Sequence, residues 1–231
     1  MLTILKSYLS SNNSISMLLA ILFAYFFAIV IAFSSHEFAH AFTAYKLGDP
    51  TAKAMGRVTL NPFKHLDLYG MLGFLLVGFG WAKPVQINPM NFKKYRRDTF
   101  LVSISGVLTN LLLAFIFTGI YMFFFLKFAN VGPDAPLYNN YLLYMIHYFL
   151  VFSIALNISL FCFNLIPIYP LDGFNAINSL FRLSPRFVNF MYKYGNIILI
   201  IFVFTPLFSI AITGVKTFFL DIFLKFWRLF I

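Results

Sequence analysis

MLLAILFAYFFAIVIAFSSHEFAH, from Met17 to His40, is an almost wholly apolar run that ends in two histidines with a glutamate between them. With the turns that follow, Met17 to Phe33 is enough to cross about 30 Å of hydrocarbon as a helix. His36-Glu37-Phe38-Ala39-His40 reads H-E-x-x-H, a spacing that puts two imidazoles one helical turn apart on one face, where both can bind a zinc ion. The glutamate between them can act as general base toward a zinc-activated water. Glu37 is the sole glutamate of the chain. Charged groups at membrane depth are expensive and mark function by default.

The rest of the 231 residues agrees with a membrane setting: 61% are hydrophobic and 10% charged, with a mean hydropathy of +0.85. That composition excludes an ordinary soluble domain. It predicts an all-α polytopic membrane protein, a single membrane-embedded domain over 1–231 with roughly four to six spans. The net charge of +10 comes from basic residues grouped in particular loops. They read as topology determinants facing a lipid bilayer rather than as a nucleic-acid surface, so no nucleic-acid partner is expected. The single cysteine, Cys162, excludes an intrachain disulfide and a cysteine-based zinc cluster.

Four long apolar segments are expected as spans, at about 16–46, 99–127, 140–166 and 189–213, the last with a possible kink at Pro206. Gly48-Asp49-Pro50 ends the first. Between the first two spans, about 52–87 is rich in Gly, Pro and Asn. Arg57 to Pro62 resembles a short strand and turn, and Leu68 to Trp81 is apolar but too short to span comfortably. A β-like, re-entrant, membrane-associated region is expected there. The tail, 214–231, reads as an interfacial amphipathic helix or a last, polar-flanked span, with the interfacial helix favoured. Lys46, Lys53, Arg57 and Lys64 lie before the short apolar segment, and Lys83, Lys93, Lys94, Arg96 and Arg97 after it. Placing both groups in the cytoplasm puts the Arg182/Arg186 loop inside as well. The 128–139 loop and the N-terminus then fall outside, as the positive-inside rule asks. His36 and His40 then sit in the cytoplasmic half of their helix.

A catalytic zinc ordinarily takes three protein ligands and keeps one position for water. Of the other acids, Asp49, Asp67 and Asp98 belong to the basic region, Asp134 to an outer loop and Asp221 to the tail. Asp172 remains, in Asn164-Leu165-Ile166-Pro167-Ile168-Tyr169-Pro170-Leu171-Asp172-Gly173. The prolines break the helix just before it and Gly173 permits a sharp turn after it, so an unwound stretch could aim this carboxylate at the histidine pair. Asn164, two turns earlier, is a candidate donor to a developing oxyanion or to substrate backbone. Asn110 and Asn157 read as amides that bond between helices. His65 and His147 lack a partner at ligand spacing.

Four ordered motifs carry a resemblance to the site-2 protease family of intramembrane zinc metalloproteases: His36 to His40, Gly56-Arg57-Val58-Thr59-Leu60-Asn61-Pro62, Gly80-Trp81-Ala82-Lys83-Pro84-Val85, and Asn164 through Gly173, which is similar to the family's N-x-x-P-x-x-P-L-D-G. The resemblance covers about residues 20–190. It implies one Zn2+ per chain held by His36, His40 and Asp172, with Glu37 as catalytic base and Asn164 as a substrate or oxyanion contact. It implies hydrolysis of peptide bonds within or near transmembrane helices of membrane-protein substrates, in a minimal, core-only member without PDZ or CBS domain. Where relatives often have Gly-Pro before a span asparagine, this chain has Gly106-Val107 before Asn110. The residues carry no signal for an oligomeric state. Two rivals belong to other classes. One is a catalytically inactive homologue that binds membrane helices, against which the intact ligand set speaks. The other is a metal transporter or sensor, which would spread polar residues along a path rather than at one depth.

Overall fold

A computed structural model describes residues 15–77, 80–126 and 141–231, with backbone alone for 74–77 and 126. Expectations for the N-terminal stretch and for the 128–139 loop with Asp134 lie outside these residues. The described chain is helical, in the order α1 (Ile15–Lys46), α2 (Thr51–Ala54), α3 (Leu68–Val77), α4 (Tyr95–Tyr121), α5 (Tyr141–Asn164), α6 (Asp172–Phe181), α7 (Pro185–Val203) and α8 (Pro206–Trp227). A π-helical turn, Met122–Leu126, extends α4. Among the described residues five helices are long and apolar enough to cross a membrane: α1, α4 with its extension, α5, α7 and α8. The protein is an all-α polytopic membrane protein.

Small side chains explain how the three central helices approach one another. In α1, Ala20, Ala24, Ala28 and Ala32 recur every fourth residue and are buried. Gly106, Asn110, Ala114 and Thr118 make the matching buried stripe on α4. Rows of small residues let helix backbones pack closely where lipid supplies no hydrophobic drive for association. Tyr144 and Phe152 of α5 fill the space beside the α1 alanines, and Ile154, Ile158 and Phe161 pack with Val107 and Ala114 of α4.

α1 stops where the sequence says it should. Gly48 has φ +107, the Asp49 N–H donates to the Ala44 carbonyl at 3.0 Å, and the Gly48 N–H donates to Tyr45 O at 3.2 Å. This is a Schellman end, which needs the left-handed residue that glycine supplies.

The region after α1 differs from the strand-and-turn expectation. Among the described residues there is no strand, only one antiparallel bridge between Leu66 and Ala82. Asn61 instead caps a 3-10 turn, Pro62–Lys64, accepting from the Phe63 N–H. The short apolar segment is the ten-residue helix α3. Residues 82–88 run without helix beside the bundle.

The C-terminal third also differs from the expected boundaries. Arg182, expected in a loop with Arg186, is instead the C-cap of α6, and Arg186 lies in the first turn of α7. The expected 189–213 span with a 214–231 tail is two helices joined at Phe204-Thr205. Thr205 is the N-cap of α8, its hydroxyl accepting from the Phe208 N–H, and Pro206 stands at N1. Proline at N1 costs nothing, because its missing N–H would have no intrahelical partner. Pro206 therefore starts a helix rather than kinking one, and α8 runs on through Trp227.

Candidate metal centre

The H-E-x-x-H spacing works as helical geometry predicts. His36 and His40 lie one turn apart on the face of α1 that meets α4, and both are buried. Their Nε2 atoms are 3.0 Å apart. Asp172, the first residue of α6, completes a triangle, with Oδ2 3.1 Å from His36 Nε2 and 3.2 Å from His40 Nε2. The Pro167–Leu171 turn carries the chain from α5 to that point. Gly173 is required just after it, since a Cβ there would lie 2.3 Å from the Leu165 carbonyl oxygen.

The far side of each imidazole fixes its chemistry. His36 Nδ1 is 2.6 Å from Asn110 Oδ1, and His40 Nδ1 is 2.7 Å from the Val102 carbonyl oxygen. The Val102 carbonyl can only accept. Asn110 is oriented by its own bonds, because its Nδ2 donates to Ala32 O at 3.2 Å and to Asn157 Oδ1 at 2.8 Å. Asn157 Nδ2 in turn donates to Ser153 O. Each Nδ1 therefore donates, which leaves each Nε2 free to turn a lone pair toward a bound metal at the centre. Two such lone pairs and a carboxylate oxygen about 3 Å apart make a donor set suited to a cation among them. Three ligands about 2 Å from one tetrahedral ion stand about 3.3 Å from each other, so the triangle fits a zinc-sized ion.

α4 makes room for this. A Cβ at Gly106 would sit 2.5 Å from His40 Nε2 and 2.8 Å from His36 Nε2. Sequence reasoning left Gly106 out of the site, and it read Asn110 only as a bond between helices. Asn110 is that bond and also the partner of His36. A span asparagine one turn after a glycine was the available signal, but its partner lies 74 residues away.

The cluster forms the polar end of a cavity of about 760 Å3. Glu37 lines it, and its Oε2 accepts the Val85 N–H at 3.0 Å. Asn164 lines it too, with Nδ2 donating to Leu160 O at 3.1 Å. Asn175, one turn after Asp172 on α6, is a further polar wall residue. Phe33, Leu156, Phe163, Phe208 and Ile212 make the walls largely apolar. Among the described residues His65 and His147 join no metal-sized cluster.

A helical membrane bundle with two histidines and an aspartate converging in a cavity has the build of a membrane-embedded metalloprotease, and the comparisons agree. Residues 24–203 match the model of peptidase family M50, the site-2 protease family, and the chain belongs to that family. It is 41% identical over 180 residues to a Bacillus subtilis protein named "Putative zinc metalloprotease YwhC", covering 78% of this chain and 79% of that one. It is 30% identical over 182 residues to "Putative zinc metalloprotease Rip2" of Mycolicibacterium smegmatis, covering 74% of this chain and 62% of that protein, under two thirds of its length. No solved structure matches.

Proposed function

We propose that the protein is a zinc metalloendopeptidase that hydrolyses peptide bonds within or near the transmembrane helices of membrane-protein substrates. The observation that carries this reading is the convergence of His36 Nε2, His40 Nε2 and Asp172 Oδ2 beside the only glutamate. These three residues would hold the ion. Bound there, zinc supplies Lewis acidity, polarising a peptide carbonyl and making a water molecule a better nucleophile.

The remaining chemistry belongs to side chains. Glu37 takes the proton of the attacking water and returns it to the amide nitrogen of the departing segment, which leaves as a neutral amine. Asn164 keeps one amide hydrogen beyond its bond to Leu160 and offers it to the substrate carbonyl or backbone. The apolar walls favour an apolar, locally unwound stretch and keep bulk water from it. Grouping the basic loops in the cytoplasm places the site toward that side of a cell membrane, with the N-terminus extracytoplasmic.

Glu37→Gln tests the reading. Zinc content should stay at the wild-type level while cleavage of a transmembrane peptide falls by roughly 10²–10⁴-fold, the usual contribution of general acid–base catalysis. Wild-type turnover by this variant would refute the proposed chemistry.

A further inference from the structure

Residues 82–88 form an extended strap along the cavity, with Ala82, Pro84, Val85 and Ile87 in its wall. Its two ends are tied down by different groups. At the first end the Lys83 N–H donates to the His65 carbonyl at 2.8 Å. Arg57, buried although cationic, donates from Nη1 to the Lys64 carbonyl and at 3.4 Å to the Lys83 carbonyl. The His65 ring is held in turn by Thr59 O at 2.7 Å. At the other end the Asn88 N–H donates to Asp49 Oδ2 at 2.8 Å. Asp49 is wholly buried, and its other oxygen accepts from Asn91 Nδ2 at 2.7 Å and from the Thr51 hydroxyl at 2.5 Å. Among the described residues only neutral donors hold this carboxylate.

Between the two anchors lies one contact with the chemistry. The Val85 N–H reaches Glu37 Oε2 at 3.0 Å, the only hydrogen bond to that carboxylate among the described residues. Pro84, just before it, has a fixed φ and biases Lys83 to an extended backbone, so the donor is presented by a stiff piece of chain. A glutamate has three rotatable side-chain bonds, and a general base must lie within hydrogen-bond reach of the proton it takes.

We infer that the 82–88 strap is a positioning device for Glu37, with Asp49 and Arg57 as its anchors: the Val85 N–H holds Oε2 and leaves Oε1 to face the attacking water. This rests on the reading of Glu37 as general base. Asp49 and Arg57 are then positioning residues that act through the strap and touch no metal ligand.

The test uses the full chain in detergent with Asp49→Asn, Arg57→Gln and Val85→Pro. The probe is a fluorescence-quenched peptide with an apolar segment of about 20 residues, a transmembrane length. Each variant should keep wild-type zinc content, lower kcat about tenfold or more, and leave KM within about twofold, since misplacing a catalytic group slows chemistry without loosening binding. Hydrogen exchange gives a readout free of substrate: Glu37→Ala should deprotect the Val85 amide and spare that of Asn88. If an anchor variant does not fold, Val85→Pro, which leaves both anchors in place, carries the kinetic test. Unchanged kcat with faster exchange across 83–88, zinc lost together with activity, or an unchanged Val85 amide in Glu37→Ala would each overturn the strap's role. Wild-type turnover by Glu37→Gln would instead overturn the base assignment itself.

Discussion

The inner three helices and the outer pair are both apolar, yet they are built on different principles. In the most apolar stretch of α5 half the residues are buried inside the protein, against 6% in α8. The inner set, α1, α4 and α5, meets through alanines, a glycine and buried amides, and each polar contact there leads toward the His36–His40–Asp172 cluster. The outer pair, α7 and α8, turns Phe190, Ile197, Ile201, Leu207 and Ile210 outward and touches the core at a few aromatic points. Hydropathy alone does not separate α5 from α8, whose most apolar stretches are nearly alike; what separates them is where small and polar residues fall. Inner positions should control metal and chemistry, and outer ones chiefly packing.

The most severe way to break this contrast is Gly106→Ala. Its Cβ would fall 2.5 Å from His40 Nε2, inside any tolerable contact, so zinc affinity should drop by more than about 100-fold, beyond the range seen for outer-shell changes. Competition against a fluorescent zinc chelator reads this directly, and wild-type affinity would show that the ligands do not converge beside α4. Next comes Asn110→Ala, which leaves His36 Nδ1 without its acceptor. Affinity should fall by roughly 10–100-fold, with Asn157→Ala weaker because it acts one bond further away.

On the outer pair, Trp227→Ala removes the Nε1–H donor to Phe115 O at 3.0 Å and empties the contact with Gly119. It should lower the thermal midpoint in detergent by several degrees while zinc stoichiometry holds, a loss of packing and one hydrogen bond worth about 1 kcal/mol. Zinc lost in this variant would erase the distinction between the regions.

The smallest expected effect is in acid. Burial pushes Asp49 up, but donors from Thr51, Asn91 and Asn88 outweigh it and hold the carboxyl below its ordinary 3.8. A group depressed in the folded state adds stability above its unfolded value and loses it as pH falls through the folded one. Asp49→Asn should therefore flatten the wild-type loss of thermal stability below about pH 4. An unchanged acid limb would remove Asp49 from the account.

Much of this was readable before the structure, for physical reasons. H-E-x-x-H is a local signal, because five consecutive residues on a helix fix their own geometry. Asp172 was readable because prolines and a glycine bracket the only acid left at a suitable break. α6 was not, since a helix starting between Pro170 and Gly173 looks like the loop those residues usually mark. The joint between α7 and α8 was misplaced because a proline at N1 and a proline kink look the same in an apolar run; Thr205, a capping residue, was the overlooked clue. Asn110 and Gly106 escaped because their roles exist only once α4 lies on α1. The Val85–Glu37 contact joins residues 48 positions apart in the sequence, which no periodicity reports.

The central claim is that three named side chains hold one zinc ion. The most direct measurement is metal content by mass spectrometry of detergent-purified protein, wild type beside His36→Ala and Asp172→Ala, prepared without chelators. The account predicts about one zinc per wild-type chain and almost none in either variant. Zinc retained in Asp172→Ala would contradict the third ligand, and a metal-free wild type would contradict the centre itself.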